Sequence, residues 1–338
     1  MFASLTAPYL AALDHTMRQI ATDVLVQDEP GFGVMIRYAL GWVDKNDHPF
    51  VQITGKRLRP LLMFLCTEAA GGDWHMALPA AACVEFLHNF SLIHDDVQDN
   101  SPTRHNRPTV WKIWGVNNAI NAGDALYTIA YQALEKSSDL LPAEQVVHLL
   151  RIFGQTNLAL TRGQHLDMRF ETQASITTDD YIRMIGGKTA SLLSACAYMG
   201  AYIGCGDPAR ARHFAEFGRN VGIAFQIRDD ILGIWGDPQV TGKSAATDLV
   251  SRKKSIPVLY GLEHSPELAS LYEQPHLSDA DVERAVDLLD EVDARAYTEE
   301  LEQQYFSQAM HDLEQANPDV MGGQKINAFV DALFQRER

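Results

Sequence analysis

The stretch Ser91–Asp99, SLIHDDVQD, places three carboxylates, Asp95, Asp96 and Asp99, at i, i+1 and i+4. A second acidic pair, Asp229 and Asp230, ends the segment FQIRDD. On a helix Asp95 and Asp99 stack one turn apart on one face, with Asp96 beside them. Like charges there cost roughly 0.2–0.5 kcal/mol per pair, and a buried cluster costs far more. A hard divalent cation would offset that cost, because Mg²⁺ takes one or two carboxylates, keeps several waters and shares its ligands with substrate phosphates. One such stretch alone could be a solvated acidic helix end. Two of them, with Lys and Arg groups between, suggest a cavity where metals hold a polyphosphate. The sequence has no Ser–His–Asp arrangement, zinc spacing or glycine-rich phosphate loop. Departure or transfer of a phosphate-containing group is the chemistry natural to this layout.

The cations follow the same logic. TGKRLRP, Thr54–Pro60, puts three positive charges in four residues at the mouth of an apolar helix, where they oppose the helix dipole. As an anion site the cluster makes sense, with Lys56 and Arg59 on one face; a solvated basic loop is the plainer reading. His88 precedes Asp95 by two turns on nearly the same side, as a ligand contact or as a packed core histidine. Arg104 and Arg107 follow the first acidic run. The segment GDPQVTGKSAATDLVSRKKS gathers Lys243, Asp248, Arg252, Lys253 and Lys254 after the second, as closure over a polyphosphate requires.

These groups must be positioned by helices. Leu10, Leu13, Met17, Ile20 and Val24 form one stripe, and helical runs are expected over Val34–Trp42, Leu61–Ala70, Pro79 onward, Asn118–Glu135, Gln145–Phe170 and Pro208–Arg228. Gly71–Leu78 reads as a turn region, and a helix opening at Asp180 is broken or distorted at Gly186 and Gly187. Little alternates with period two, so the expected fold is all-α, a large helical bundle in a single domain over residues 1–338. At 338 residues, 46% apolar and 21% charged, the chain can bury a large core. Its 28 Lys and Arg against 44 Asp and Glu give a net charge of −16, which disfavours nucleic acid or anionic membrane as a partner. Cys66, Cys83, Cys196 and Cys205 read as buried free thiols of a reducing compartment. The N-terminal stretch does not read as a signal peptide, and no stretch reaches the ~20 apolar residues of a membrane span. A cytoplasmic protein without stable membrane insertion is expected.

Taken in order, GKRLRP (Gly55–Pro60), SLIHDDVQD, GQHLD (Gly163–Asp167), GGKTASL (Gly186–Leu192), FQIRDD (Phe225–Asp230) and TGKSAATDLVSRKKSIP (Thr241–Pro257) resemble the polyprenyl synthetase family, the trans-isoprenyl diphosphate synthases. The resemblance spans about Thr54 to Pro257. It implies the class I isoprenoid synthase fold, a helical bundle around a central cavity, and a homodimer. It also implies Mg²⁺, three ions per active site, and condensation of isopentenyl diphosphate with an allylic diphosphate. On the same footing Asp95, Asp96 and Asp99 hold metals, and Asp229 and Asp230 hold the third. Arg104, Lys188, Lys243 and Lys253 contact the allylic diphosphate, and Lys56, Arg59 and His88 bind isopentenyl diphosphate. Thr189 and Gln226 stabilise the allylic cation, with Asp167 and Gln226 shaping its surroundings.

The sequence departs from the family pattern twice. Two adjacent arginines and a glycine are usual after the first acidic motif, where this chain has Arg104, His105 and Asn106. A histidine with an ordinary pKa of about 6.5 is no permanent bidentate donor, so Arg107 is the candidate to take over that contact. The second motif reads DDILG, with Gly233 in the slot of a third aspartate. The His105 departure also opens an alternative, a class I terpene cyclase, which needs only one diphosphate; an inactive subunit that regulates a partner synthase is a further one. Leu87, Phe90 and Ser91, upstream of Asp95, are the expected floor for the growing tail. One aromatic and one small residue there point to a C20 product, geranylgeranyl diphosphate, with C15 farnesyl diphosphate as the alternative.

Overall fold

The computed structural model describes residues 2–25, 31–50, 57–173, 175–236, 246–274 and 276–334. In chain order the first helices are α1 (Phe2–Val24), α2 (Phe32–Ala39), α3 (Leu58–Ala69) and α4 (Leu78–Gln98). A hairpin of β1 (Thr103–Arg104) and β2 (Arg107–Pro108) precedes α5 (Val110–Trp114), α6 (Val116–Glu135) and α7 (Ala143–Thr172). Then come α8 (Thr178–Ile185), α9 (Ser191–Cys205), α10 (Pro208–Trp235) and α11 (Thr247–Val250). The chain continues with α12 (Ile256–His264), α13 (Pro266–Glu273), α14 (Asp279–Glu291), α15 (Ala294–Gln315) and α16 (Val320–Phe334).

The chain forms two compact units. One takes residues 1–154, 196–208 and 319–326, the other residues 155–195, 209–318 and 327–338. In the first, α4 packs along α6, and every residue from Pro79 to Leu87 is buried. Three consecutive alanines, Ala80–Ala82, keep that stretch narrow. Trp74–Ala77, expected as a turn, is a 3₁₀ turn leading into α4. The run Trp74–Gln98 is long and apolar enough to cross a membrane by length and composition, contrary to the sequence expectation, and 67% of its most apolar window is buried inside the protein. Tyr9, Glu68 and Lys325 tie α1, α3 and α16 together. Tyr9 donates to Glu68 at 2.7 Å, and Lys325 donates to both Glu68 oxygens at 2.9 Å.

In the second unit one core gathers Phe170, Tyr181, Met184, Ile185, Ile223, Ile227 and Ile256. Another gathers Ile234, Leu249, Val258, Leu268, Leu288 and Leu289. Thr177 and Asp180 close a capping box on α8. The distortion expected at Gly186 and Gly187 is a π turn over Gly186–Ala190, a form frequent at functional sites. Helix α10 does not stop at the acidic pair; it runs on to Trp235. Cys66, Cys83 and Cys196 are buried free thiols, whereas Cys205 is half-buried.

Candidate active site

In the first unit α4 delivers its carboxylates at its C-terminal end, where Asp99 is the C-cap and its N–H reaches the Asp95 carbonyl at 2.8 Å. The helix dipole is unfavourable to acids there. Arg104 offsets it from the hairpin: Nε donates to Asp96 at 2.7 Å and Nη2 to Asp95 at 3.3 Å. The Asp96 side chain is 8% exposed, and burial raises its pKa against the opposing pull of Arg104.

His105 and Asn106 are the two central residues of that hairpin, with φ of 50° and 60°. Two left-handed residues in a two-residue loop mark a type I′ turn. Asparagine tolerates this conformation, so Asn106 keeps the turn although it is not glycine. His105, pushed down by burial and then by Arg104, is neutral at pH 7.

Beside the hairpin lies a cavity of about 90 Å³, lined by residues including Tyr38, Glu85, His88, Asp96, Arg104, His105 and Arg107. Arg59, on the first turn of α3, stands 3.2 Å from His88 Nε2. Because a guanidinium only donates, that nitrogen accepts and the ring is neutral; burial and then Arg59 hold its pKa well below the usual histidine range. Arg107 donates to the Val43 carbonyl at 3.0 Å and lies 3.9 Å over the Tyr38 ring. Glu85 is buried, and its Oε2, like Arg59 Nε, has no hydrogen-bond partner among the described residues. Lys56, expected next to Arg59, lies outside the described residues.

Of the residues expected to floor the tail channel, Leu87 is fully buried and Ser91 Oγ donates to the His88 carbonyl at 2.8 Å. Phe90 is clamped edge-on by His94 at 4.8 Å and meets Tyr127 of α6 at 5.4 Å. Tyr127 in turn stacks on Phe153 at 5.8 Å. His94 fits because Gly123 has no side chain: a Cβ there would stand 2.3 Å from its Nε2. Sequence reasoning missed Tyr127, since no local signal shows which helix faces Phe90.

In the second unit the close approach of α7 to the π turn rests on two glycines. A Cβ on Gly163 would come within 2.1 Å of Lys188 N, and one on Gly187 within 2.8 Å of the Ala159 carbonyl. Lys188 thereby reaches Asp167, one turn beyond Gly163, in a short ion pair. Thr189 Oγ1 donates to Gln226 Oε1 at 3.0 Å, joining two residues that the sequence assigned together.

Asp229 and Asp230, about 100° apart around α10, differ in burial. Asp229 is exposed and Asp230 is 0% exposed. Asp230 accepts from Tyr181 at 2.6 Å, Lys253 at 3.1 Å, Gln226 at 3.4 Å and the Ile256 N–H at 3.5 Å. Burial lowers the Lys253 pKa, but Asp230 and then Asp248 more than offset this and raise it overall. Tyr181, unnoticed in the sequence, is pushed well above the usual phenol range by burial and the Asp230 charge, so it remains a donor. The network makes Asp230, which the resemblance pairs with Asp229 as a holder of the third metal, an anchor for Lys253 as well. Arg252 donates to the Tyr272 and Gln274 carbonyls, and Lys254 to the Phe170 and Gln173 carbonyls. Lys243 lies outside the described residues.

Among the described residues no group of three or more His, Cys, Asp or Glu is placed to hold a metal unaided. Small sets of hard oxygen donors fit Mg²⁺ that completes its shell with phosphate and water.

The polyprenyl synthetase family model matches residues 41–289, which run through both units. A (2E,6E)-farnesyl diphosphate synthase of Mycobacterium bovis is 41% identical over 250 residues, covering 74% of this chain and 67% of that one. A geranylgeranyl diphosphate synthase of Mycobacterium tuberculosis is 42% identical over 260 residues, covering 75% and 73%. The crystal structure of a polyprenyl synthetase from Streptomyces coelicolor superposes with a TM-score of 0.84 at 30% identity, covering 96% and 99%. Helical architecture, ordered motifs and these likenesses agree: the chain belongs to the polyprenyl synthetase family, a short-chain prenyltransferase with the all-α isoprenoid synthase fold.

Proposed function

We propose that this enzyme condenses isopentenyl diphosphate with an allylic diphosphate and releases geranylgeranyl diphosphate. The observation that supports the two-diphosphate reading is the first unit's cavity, lined by Arg107 and by His88, which Arg59 backs, next to the Arg104 that serves the allylic diphosphate. A terpene cyclase would have no use for that second anion pocket. Asp95, Asp96 and Asp99 would hold Mg²⁺ on the first acidic helix, and Asp229 on the second. When bound, Mg²⁺ supplies Lewis-acid neutralisation of the leaving diphosphate, worth several kcal/mol.

The chain's own groups do the rest. Arg104, Lys188, Lys243 and Lys253 orient the allylic diphosphate. Its C–O bond ionises, the isopentenyl double bond attacks the allylic carbon, and the proton lost goes to the released diphosphate. The Thr189–Gln226 pair presents oxygen dipoles to the allylic cation, without a nucleophile strong enough to trap it. Lys56, Arg59 and His88 bind isopentenyl diphosphate. We place the enzyme in the cytoplasm as a homodimer, with neither nucleic acid nor membrane insertion. Val116, Ile120 and Tyr131, 40–49% exposed on α6, lie on one stripe that a second copy would cover.

Product length follows from the aromatic column Phe90–Tyr127–Phe153. Ser91 leaves room beside Phe90, which favours C20. Tyr127, backing Phe90 from the facing helix, is the feature that favours farnesyl diphosphate instead. Incubation with Mg²⁺, isopentenyl diphosphate and C5, C10 or C15 allylic diphosphates tests the reaction, and no consumption of isopentenyl diphosphate with any of them would refute it. Chromatography of the dephosphorylated alcohols tests the length. Phe90→Ala is expected to lengthen the dominant product and Ser91→Phe to shorten it; unchanged products in both would put the floor elsewhere.

A further inference from the structure

Three cations in a row, Arg252, Lys253 and Lys254, follow α11, and each has a different partner. Lys253 Nζ reaches Asp230 at 3.1 Å and Asp248 at 3.5 Å. Lys254 donates to the Phe170 and Gln173 carbonyls at the C-terminal end of α7. Arg252 donates to the Tyr272 and Gln274 carbonyls at the C-terminal end of α13. The last carbonyls of a helix lack partners within it and carry the negative end of its dipole. The outer two cations therefore close helix ends, and the middle one is turned to the acids.

The backbone explains how adjacent residues part so sharply. The Lys253 N–H donates to the Asp248 carbonyl at 2.8 Å and the Arg252 N–H to the Leu249 carbonyl at 3.0 Å. With α11 ending at Val250, these are the 6→1 and 5→2 bonds of a Schellman cap, whose left-handed residue is ordinarily glycine. Here that residue is Arg252, at φ 56°, a conformation that disfavours a Cβ. What offsets the cost lies in the side chain. Its guanidinium is fastened to two carbonyls at the end of α13 and lies 5.7 Å over the Tyr272 ring. Tyr272 belongs to the same core as Leu249, so the anchor is tied to the helix that the cap terminates. The cap also sets Lys253 against Asp248, where an apolar contact is usual. The turn at 252 thus decides where the Lys253 ammonium stands.

Resting on the functional reading above, which gives Lys253 to the allylic diphosphate, we infer that Arg252 is a positioning residue for Lys253. Its backbone turns the chain out of α11, and its side chain, bonded to the end of α13, holds that turn. Arg252 acts on the substrate only through its neighbour: its own donors are aimed at the α13 carbonyls, away from Asp230 and Asp248. A lysine ammonium on a flexible four-carbon stem carries no fixed direction of its own, so the direction comes from the cap.

The test is calorimetric binding of an unreactive S-thiolo analogue of geranyl diphosphate, with Mg²⁺, to the whole protein, beside KM values for both substrates. Arg252→Gly keeps the left-handed turn and removes only the anchor. It is expected to weaken the analogue about 5-fold or more and to raise the allylic KM alike, with the KM for isopentenyl diphosphate unchanged. Arg252→Lys can still donate to the α13 carbonyls, as Lys254 does to those of α7, and is expected to recover most of the loss. Lys253→Met is expected to weaken the analogue by roughly 10–100-fold, and adding Arg252→Gly to it to change nothing further. Wild-type affinity in Arg252→Gly, an equal rise in both KM values, or an additive loss in the double variant would overturn the inference. If Arg252→Gly fails to fold, Arg252→Met, which keeps the apolar stem against Tyr272 and lacks the donors, decides by the same readouts. Turnover is measured separately on the wild type. An inactive wild type whose analogue binding depends on Arg252 only through Lys253 would refute the functional reading and leave this inference standing; an active one indifferent to Arg252 would do the reverse.

Discussion

The two acidic pairs, Asp95–Asp96 and Asp229–Asp230, solve one electrostatic problem in different ways. In each the second aspartate is turned inward and held, with side chains 8% and 0% exposed. At the first pair the counter-charge is an arginine whose planar fork spans both acids, at 2.7 and 3.3 Å. At the second it is Lys253, shared between Asp230 and Asp248 at 3.1 and 3.5 Å, with Tyr181 supplying a further donor. Position along the helix explains the difference. Asp95, Asp96 and Asp99 crowd the C-terminal end of α4, where the dipole adds to their repulsion and a permanently charged bidentate partner is suited to them. Asp230 sits inside α10, five residues before its end, in a buried setting where hydrogen bonds to the carboxylate do most of the work. The lesson is that adjacent, chemically identical residues meet different surroundings: the first of each pair is the more exposed, and the second is buried against its counter-charge.

The largest effect expected from breaking this division is at Asp95. Asp95→Asn should lower kcat/KM by on the order of 10²–10³ with either substrate, measured by steady-state kinetics, while leaving the fold intact by circular dichroism. The contrast between Asp229 and Asp230 sharpens it. Asp230→Asn strands Lys253 and should destabilise the protein by about 2–3 kcal/mol in chemical denaturation. That is below the 3–5 of a fully buried pair, because the Lys253 side chain keeps 38% of its surface exposed. Asp229→Asn should leave the denaturation midpoint where it is and cost activity instead; equal midpoints for the two variants would contradict the division.

Next comes the glycine that lets α7 touch the π turn. Gly163→Ala places a methyl 2.1 Å from Lys188 N and should cost about 1–3 kcal/mol of stability together with a loss in kcat, since Lys188 and Thr189 move as one. The smallest effect is expected at His105. Replacing this neutral ring by a permanent cation exchanges a neutral hydrogen bond for a charge-assisted one, a gain of about 1 kcal/mol. His105→Arg should therefore lower the KM for isopentenyl diphosphate about five-fold at pH 8. Its pKa is depressed, so the wild-type ring is neutral above the ordinary histidine value and gains charge only as pH falls. The advantage of arginine should accordingly shrink toward pH 5, and a KM ratio that does not change with pH would contradict the assignment.

Much of this was legible in the chain itself. Helical periodicity is local, and so are the i, i+1, i+4 spacing of Asp95, Asp96 and Asp99 and the helix-breaking glycines at 186 and 187; these features specified an all-α fold and the acidic motifs. Helix ends were less legible: α3 begins at Leu58, so Arg59 is part of the helix, and α10 extends five residues past Asp230. Arg104 lies eight residues from Asp96, yet no sequence rule showed that a type I′ turn at His105 and Asn106 would bring its guanidinium back onto both acids. Tyr181 lies 49 residues from Asp230 and Lys253 lies 23 from it. Their meeting, and with it the inward turn of Asp230, depends on how α8, α10 and the segment before α12 pack. Gly233 shows in the sequence only the side chain it lacks; that the Asp248 carboxylate, 15 positions on, packs against it at the distance where a Cβ would clash came with the fold. Spacing along one helix is set by covalent geometry and can be read from the chain, whereas the partner on the facing segment is chosen by close packing, which exists only in the folded protein.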